Sequence, residues 1–268
     1  MPDAQLADCN LFYVDEGHGP PLMLVHGFPL DQTMWRHQIA EFRGTHRVLA
    51  VDLPGFGKST VPRAELSLIG LADQLAEFLD LIGVTEPVTL CGLSMGGSIA
   101  MQFALRHPGK LSGLILCDCR AAADAPEAQK MRHELAGRVL KEGPEFVAQA
   151  MPARLFAPAA LKLQPEVVQS IQSVIRATPP TSVAGGSRAL ADREDVVARL
   201  GDIAAPTLVI VGQEDVISTV QEMRQMAVLI PHAQLVEIPG AGHMAPLEAP
   251  QVVNSEMRSW MTARTCRQ

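Results

Sequence analysis

A serine between two glycines, Gly92-Leu-Ser94-Met-Gly96, is the feature of the sequence that most clearly indicates chemistry. The apolar run Val88 to Cys91 precedes it, and a stretch of helical character follows it. A serine hydroxyl attacks a carbonyl carbon only when it is exposed, held in place and deprotonated by a neighbour. A sharp turn from strand to helix exposes the hydroxyl, and glycines let the two backbones approach. The segment predicts Ser94 as a nucleophile, with an inert glycine-rich packing turn as the alternative.

A nucleophilic serine needs a base, and His243 is the histidine best placed to act as one. It ends the sequence Pro-Gly-Ala-Gly-His243, which follows an apolar run and precedes the last helical stretch. Of the eight histidines, only His26 and His243 follow predicted strands closely enough to reach the edge that carries Ser94. In parallel sheets, sites are assembled at the carboxyl edge of the strands. His243 is therefore the predicted base, and a structural histidine that caps the following helix is the alternative.

The base in turn needs a carboxylate that fixes its tautomer and stabilises its protonated form. Asp215 follows the predicted strand Thr207 to Val211 and precedes His243 in the chain. Two alternatives to Asp215 remain open. One is Asp118, which follows another predicted strand, and the other is Glu214, which directly precedes Asp215 in the chain.

Two backbone amides are predicted to stabilise the oxyanion that forms when a serine attacks a carbonyl group. The amide of Met95 lies at the start of the helix after Ser94, where backbone N–H groups point towards bound anions. The sequence His26-Gly27-Phe28 ends a strongly apolar run, and its glycine suits a loop that turns the Phe28 amide inwards. His26 is predicted to brace this loop by hydrogen bonds rather than to transfer protons.

The segment from Asp52 to Ser59 contains Gly-Lys-Ser and could be mistaken for a phosphate-binding loop. Gly55 lies only two residues before Gly57, so the spacing of that motif is missing, and a structural turn is favoured. No histidine pair or carboxylate cluster has the spacing of metal ligands. The sequence predicts neither a metal nor any other cofactor.

Short apolar runs alternate with amphipathic helical stretches in the parts of the chain that carry these residues. Continuous apolar runs of this length are typical of parallel strands covered on both faces. The six predicted strands are Leu22 to Val25, Val48 to Val51, Val88 to Cys91, Leu114 to Cys117, Thr207 to Val211 and Leu235 to Ile238. Predicted helices include Leu68 to Ile82, capped by Ser67, and a last helix from about Pro246 to Arg264. The pattern predicts an α/β protein with a mostly parallel sheet.

The alternation stops between residues 121 and 200. This stretch is rich in Ala, Glu, Gln, Arg and Leu, contains no strand-like run, and is divided by prolines. We therefore predict a core domain formed by residues 1–120 and 201–268, with residues 121–200 inserted as a helical lid, or cap.

The composition excludes several classes of function. The net charge is −7 and no basic run occurs, which argues against a nucleic-acid partner. No apolar run approaches the roughly 20 residues that span a bilayer, and the N-terminus does not resemble a secretory signal. The five cysteines lack zinc-site spacing and are not arranged as a disulfide framework. A cytoplasmic protein without a membrane or nucleic-acid partner is expected.

Taken together, these motifs resemble the α/β-hydrolase superfamily over about residues 11–260. The resemblance rests on His26-Gly-Phe28, Asp52-x-Pro-Gly-x-Gly57-x-Ser59, Gly92-x-Ser94-x-Gly-Gly97, Gly212-x-x-Asp215 and Gly240-x-Gly-His243. It implies an α/β-hydrolase fold with an eight-stranded, mostly parallel sheet flanked by helices and a helical lid inserted after strand six. The chain order Ser94, Asp215, His243 is that of this superfamily.

Within the superfamily, the segment Leu116 to Asp124 is similar to 3-oxoadipate enol-lactonase-like hydrolases and to serine esterases related to cofactor-free haloperoxidases. Ser98, where the menaquinone-pathway synthase has Arg, and Met244, where carbon–carbon hydrolases have Trp, argue against those branches. The resemblance implies hydrolysis of a small to medium carboxylic ester or lactone through an acyl-enzyme. A carbon–carbon hydrolase or lyase, and a non-catalytic binding protein on this fold, remain alternatives. The expected partner is the small-molecule substrate, and a homodimer remains open.

Overall fold

A computed structural model of the protein describes residues 3–265, which form one eight-stranded sheet flanked by helices. The strands are β1 (Asp3–Gln5), β2 (Asn10–Glu16), β3 (Pro21–Val25), β4 (Arg47–Val51), β5 (Val88–Leu93), β6 (Leu111–Cys117), β7 (Thr207–Gly212) and β8 (Gln234–Ile238). Their order across the sheet is β1-β2-β4-β3-β5-β6-β7-β8. Strand β2 is antiparallel to both β1 and β4, and all other pairs are parallel. The predicted α/β-hydrolase fold with a mostly parallel, eight-stranded sheet is confirmed.

The centre of the sheet is the centre of the hydrophobic core. Every residue of β3, β5 and β7 is buried, which explains why their sequences are continuously apolar rather than alternating. Because β3 to β8 run in one direction, the residues that follow these strands gather at a single edge of the sheet. That edge carries Ser94, Asp215 and His243.

The helices begin and end at residues that the sequence marks clearly. They are α1 (Arg36–Phe42), α2 (Leu68–Leu81), α3 (Met95–Arg106), α4 (Pro126–Glu142), α5 (Glu145–Ala150), α6 (Pro152–Leu155), α7 (Pro158–Leu163), α8 (Pro165–Ala177), α9 (Pro180–Ala191), α10 (Val220–Leu229), α11 (Ala245–Glu248) and α12 (Pro250–Thr265). In α2, the Ser67 side chain accepts a hydrogen bond from the Gly70 amide, as expected of an N-cap. No helix within residues 3–265 is long and apolar enough to cross a membrane.

Helices α4 to α9 all lie between β6 and β7, in the segment of residues 121–200 that we call the cap segment. Five of these six helices begin with a proline, and α5 follows one directly. Proline suits the first turn of a helix because its missing N–H would have no intrahelical partner there, and its φ angle is already helical. The prolines therefore set the boundaries of these short helices. That the cap segment works as a lid remains a prediction.

The observed strands and helices differ from the predicted ones near the two ends of the chain. Strands β1 and β2 have no counterpart among the six strands predicted from apolar runs, because β2 mixes apolar residues with Asn10, Asp15 and Glu16. The predicted single helix from Pro246 to Arg264 is two helices, α11 and α12, with the break before Pro250. Proline cannot donate the helical hydrogen bond and disfavours helical geometry in the residue before it.

Candidate active site

Ser94 occupies the turn between β5 and α3, and its backbone adopts a φ of 53° and a ψ of −113°. Positive φ is unfavourable for residues other than glycine, and such strain concentrates at functional sites. The Ser94 amide donates a hydrogen bond to the Cys117 carbonyl at the end of β6, over 3.0 Å. In the same way, the Asp118 amide donates to the Ile210 carbonyl of β7, over 2.9 Å. Backbone hydrogen bonds therefore fix Ser94 to the edge of the sheet.

The glycines around Ser94 allow close approaches between backbones. A Cβ atom at Gly92 would lie 2.2 Å from the Gly96 carbonyl oxygen. A Cβ atom at Gly96 would lie 2.3 Å from the Val25 carbonyl oxygen of β3. No side chain fits at either distance, so the tight turn from strand to helix requires glycine at both positions.

The structure brings His243 and Asp215 into direct contact. His243 Nδ1 and Asp215 Oδ2 lie 2.8 Å apart, and both side chains are almost completely buried. The other oxygen of Asp215, Oδ1, accepts hydrogen bonds from the amides of Ile217 (2.7 Å) and Ser218 (3.1 Å). Asp215 is thus fixed by its own loop, and it orients the imidazole ring through a single strong hydrogen bond.

Ser94 and His243 line the same cavity, which has a volume of about 280 Å³. No hydrogen bond joins their side chains in the structure, a common state of catalytic pairs that tighten when substrate binds. Phe28 and Met95 also line the cavity. The Met95 amide lies at the first position of α3, where helical N–H groups have no partner within the helix.

Side chains from the cap segment form much of the apolar wall of this cavity. The apolar residues of the cap segment that line it include Met131, Leu135, Met151 and Leu155. The cap segment therefore lies over Ser94, and the cavity lies between it and the edge of the sheet.

The two alternative carboxylates are placed differently from Asp215. Asp118 is fully buried, and its Oδ1 accepts the Gly212 amide over 2.8 Å, so it supports the start of the Asp215 loop. Burial, together with the nearby charge of Asp215, raises the pKa of Asp118 well above its ordinary value. Glu214 is exposed to solvent. Neither carboxylate makes a hydrogen bond to His243 within residues 3–265.

His26 connects two loops beneath the cavity. Its Nε2 accepts a hydrogen bond from the Leu53 amide, which requires the proton on Nδ1, and Nδ1 donates to the Gly27 carbonyl, each over 2.9 Å. Burial lowers the pKa of His26 to about 4, so the ring is neutral near pH 7. A Cβ atom at Gly27 would lie 2.8 Å from the Leu93 side chain, so the loop passes close to the residue before Ser94. These contacts hold Phe28 at the cavity wall.

The segment from Asp52 to Ser59 forms a tight structural turn. The two carboxylate oxygens of Asp52 accept the amides of Gln32 (2.7 Å) and Lys58 (2.8 Å), and Ser59 Oγ donates to the Asp52 carbonyl (2.6 Å). Gly57 has a φ of +54° and lies directly against the Asp52 carboxylate. Because the Lys58 amide of this segment binds the Asp52 carboxylate, the segment has the contacts of a structural turn rather than those of a phosphate-binding loop. Within residues 3–265, no group of three or more His, Cys, Asp or Glu side chains could hold a metal ion.

The cavity is also lined by charged side chains, which the sequence analysis did not predict as part of the site. Its lining includes Arg120, Arg132, Arg154, Arg193 and Asp124. Arg120 immediately precedes the cap segment and the other four residues lie within it, and only Arg132 and Arg154 lie on helices. Only the packing of the cap helices brings these side chains together.

Comparisons with known proteins agree with this geometry. The family model described as "alpha/beta hydrolase fold" matches residues 20–250. The chain therefore belongs to the α/β-hydrolase family. It is 28% identical over 256 residues to 3-oxoadipate enol-lactonase 2 of Acinetobacter baylyi, covering 95% of this chain and 94% of the other.

Two solved structures are similar over almost the whole chain. A thermophilic esterase from Thermogutta terrifontis, solved with malate bound, has a TM-score of 0.95 at 41% identity, covering 98% of both chains. The enol-lactonase from Burkholderia xenovorans LB400 has a TM-score of 0.91 at 27% identity, covering 97% of this chain and 100% of the other. Membership of a hydrolase family with esterase and lactonase relatives supports hydrolysis of an ester or lactone as the activity.

Proposed function

We propose that this protein is a serine hydrolase that cleaves a carboxylic ester or lactone of small to medium size. Ser94 is the nucleophile, His243 the general base, and Asp215 the carboxylate that orients it. The observation that carries the proposal is the 2.8 Å contact between His243 and Asp215, with Ser94 and His243 on the wall of one cavity. The esterase and enol-lactonase relatives support the same type of bond.

The hypothesised reaction has two halves. In the first half, His243 accepts the proton from Ser94 as its Oγ attacks the ester carbonyl, and the amides of Phe28 and Met95 stabilise the oxyanion. His243 then gives the proton to the departing alcohol oxygen, which leaves an acyl group on Ser94. In the second half, His243 takes a proton from water, which attacks the acyl carbon. The acid is released and Ser94 regains its proton. All catalytic groups in this scheme belong to the protein, and the scheme requires no cofactor.

The dimensions of the cavity support a small substrate. A volume of about 280 Å³ lies just below the range of about 300 to 1,000 Å³ that is typical of ligand pockets. We propose that the cap segment, residues 121–200, acts as the lid that excludes water from the reaction, with residues 1–120 and 201–268 as the catalytic core. Localisation in the cytoplasm and assembly as a homodimer remain predictions.

A panel of esters and lactones, led by p-nitrophenyl butyrate, tests the proposal. We expect hydrolysis by the wild-type protein and its loss in Ser94→Ala. Ser173→Ala is the control, because Ser173 lies exposed on α8 and its hydroxyl donates a hydrogen bond to the Gln169 carbonyl of its own helix. A wild-type protein that is inert on the whole panel would contradict the proposal, and turnover of carbon–carbon substrates instead would favour that alternative.

A fluorophosphonate probe separates the enzyme from a non-catalytic binding protein on the same fold. The probe reacts with activated serines, so we expect labelling of the wild type and of Ser173→Ala but not of Ser94→Ala. Failure to label the wild type would mean that Ser94 is not activated, and would favour the binding protein.

A further inference from the structure

Four arginines and one carboxylate line the cavity that contains Ser94 and His243. The arginines are Arg120, Arg132, Arg154 and Arg193, and we call them the arginine cluster. The single carboxylate is Asp124, whose side chain is almost fully buried. Cavities that bind neutral esters need no such charge, because polar groups in ligand pockets are usually few.

Asp124 lies at the centre of the cluster. Its Oδ1 accepts Arg193 Nη2 over 2.8 Å and lies 3.6 Å from Arg120 Nη1, and its Oδ2 accepts Arg132 Nε. Arg193 also donates through Nε to the Ala122 carbonyl over 2.9 Å. One negative charge is therefore shared among three guanidinium groups.

The cluster carries more positive than negative charge. Besides Asp124, Glu222 pairs with Arg120 Nη2 over 2.7 Å, and it does so from a partly exposed position where solvent weakens the interaction. Arg154 is exposed and has no ion-pair partner among residues 3–265. Four arginines thus face two carboxylates, an excess of two positive charges beside the nucleophile.

One further observation indicates that the cluster lacks an acceptor. Arg120 Nε is buried without a hydrogen-bond partner within the described residues. A buried donor without a partner costs free energy, which an anionic acceptor in the cavity would recover.

A purely structural network explains only part of this arrangement. Asp124 precedes α4, Arg132 lies on α4 and Arg193 follows α9, so their contacts join the two ends of the cap segment. An ion-pair network that only joins these two ends needs one or two arginines for one carboxylate. It does not account for Arg154, for the unpaired Nε of Arg120, or for the excess charge on the cavity side.

We propose that the arginine cluster binds a carboxylate of the substrate. The substrate class is then an ester or lactone that carries a free carboxylate in addition to the bond that is cleaved. This inference rests on the proposed hydrolase function of Ser94. When the free carboxylate is on the acyl side, hydrolysis of an open-chain ester consumes one water and yields a dicarboxylate, an alcohol and a proton. Hydrolysis of a lactone that carries a carboxylate yields a hydroxy-dicarboxylate and a proton.

Matched substrate pairs test the proposal. Monomethyl succinate carries a carboxylate, whereas dimethyl succinate has the same skeleton without one. We expect the wild type to have a KM about 10-fold or more lower for the monoester, the effect of one charge-assisted hydrogen bond. In Arg154→Gln and Arg120→Gln, the KM for the monoester should rise more than the KM for the diester, so the preference shrinks. Arg138→Gln is the control, since Arg138 lies on α4, pairs with Glu142 and does not line the cavity.

Calorimetric titration with succinate separates failure of this inference from failure of the proposed function. We expect succinate to bind to Ser94→Ala, and to bind more weakly when Arg154→Gln or Arg120→Gln is added. Hydrolysis of both esters with equal KM, or a preference that persists in both arginine variants, would overturn the carboxylate site and leave the esterase proposal intact. If neither ester is hydrolysed, the proposed function fails on these substrates, and the succinate titration alone decides the inference. Thermal unfolding of each variant shows whether it is folded.

Discussion

The loop that carries His243 is held by Glu248, and replacing this residue tests how far the base depends on the cap segment. Glu248 Oε1 accepts hydrogen bonds from the amides of Gly242 (3.0 Å) and Met244 (3.1 Å), on either side of His243. Its Oε2 accepts the amide of Ala157 in the cap segment over 2.8 Å. One carboxylate thus joins the histidine loop to the helices above it.

The Glu248→Ala substitution leaves three buried amides without an acceptor. A buried amide that loses its partner costs about 1 to 3 kcal/mol, although water can enter the space and recover part of this. Burial also raises the pKa of Glu248, so the carboxylate itself is costly in the native state and its removal returns some free energy. We expect the free energy of unfolding to fall by about 3 kcal/mol. Glu248→Gln keeps one carbonyl oxygen and should lose about half as much.

Urea unfolding at pH 7 measures this loss, and turnover of p-nitrophenyl butyrate by the folded variants measures its effect on His243. We expect the turnover number to decrease from wild type to Glu248→Gln to Glu248→Ala, because the imidazole is held less firmly. Glu256→Gln on α12 serves as a control on a carboxylate for which the structure records no hydrogen bond or ion pair among residues 3–265. A free energy of unfolding for Glu248→Ala within about 0.5 kcal/mol of the wild-type value, the usual range for surface substitutions, would contradict the role given to the three amides.

Three further predictions test the site and its supports. Asp215→Asn should lower turnover of p-nitrophenyl butyrate by about 10³- to 10⁴-fold, because an amide no longer fixes the tautomer of His243. A larger loss in Asp118→Asn would instead indicate that Asp118 is the carboxylate that orients His243. Gly92→Ala should lower the free energy of unfolding by about 3 kcal/mol or more in urea, since the added methyl group meets backbone; wild-type stability would contradict the close approach. Burial raises the pKa of Asp52 from 3.8 to about 6, so the native state binds more protons between those values and wild-type stability falls as the pH rises through them. Asp52→Asn does not titrate, so the stability of wild type relative to this variant should decline from about pH 4 to about pH 6 in urea unfolding, and a constant difference would refute the shift.

Those parts of the fold that depend on local pattern could be predicted from the sequence. The apolar runs of β3 to β7 are continuous because these strands are covered by neighbours, and this property is visible residue by residue. Strands β1 and β2 could not be found in this way. They are antiparallel strands at one side of the sheet, and β2 owes its place to pairing with β4, a contact distant in sequence.

In the candidate site, too, some residues could be predicted from the sequence and others could not. Ser94, Asp215 and His243 each follow a strand of one parallel sheet, so the order of elements alone predicts that they meet at one edge. The structure places Asp215 against His243 as expected from that order. The arginine cluster comes from α4, α6 and the segments beside β6 and α9, and its assembly depends on how the cap helices pack. Nothing in the local spacing of these arginines distinguishes them from solvated surface residues.

The backbone hydrogen bonds from Ser94 to Cys117 and from Asp118 to Ile210 extend the sheet by one residue beyond the ends of its strands. The Ser94 and Asp118 amides should therefore exchange their hydrogens with solvent more slowly than the amides of exposed loops, because the sheet edge must open to break each hydrogen bond. If the amides of helices α4 to α9 exchange faster, the nucleophile lies on the more rigid side of the cavity, and adaptation to the substrate falls mainly to the cap segment.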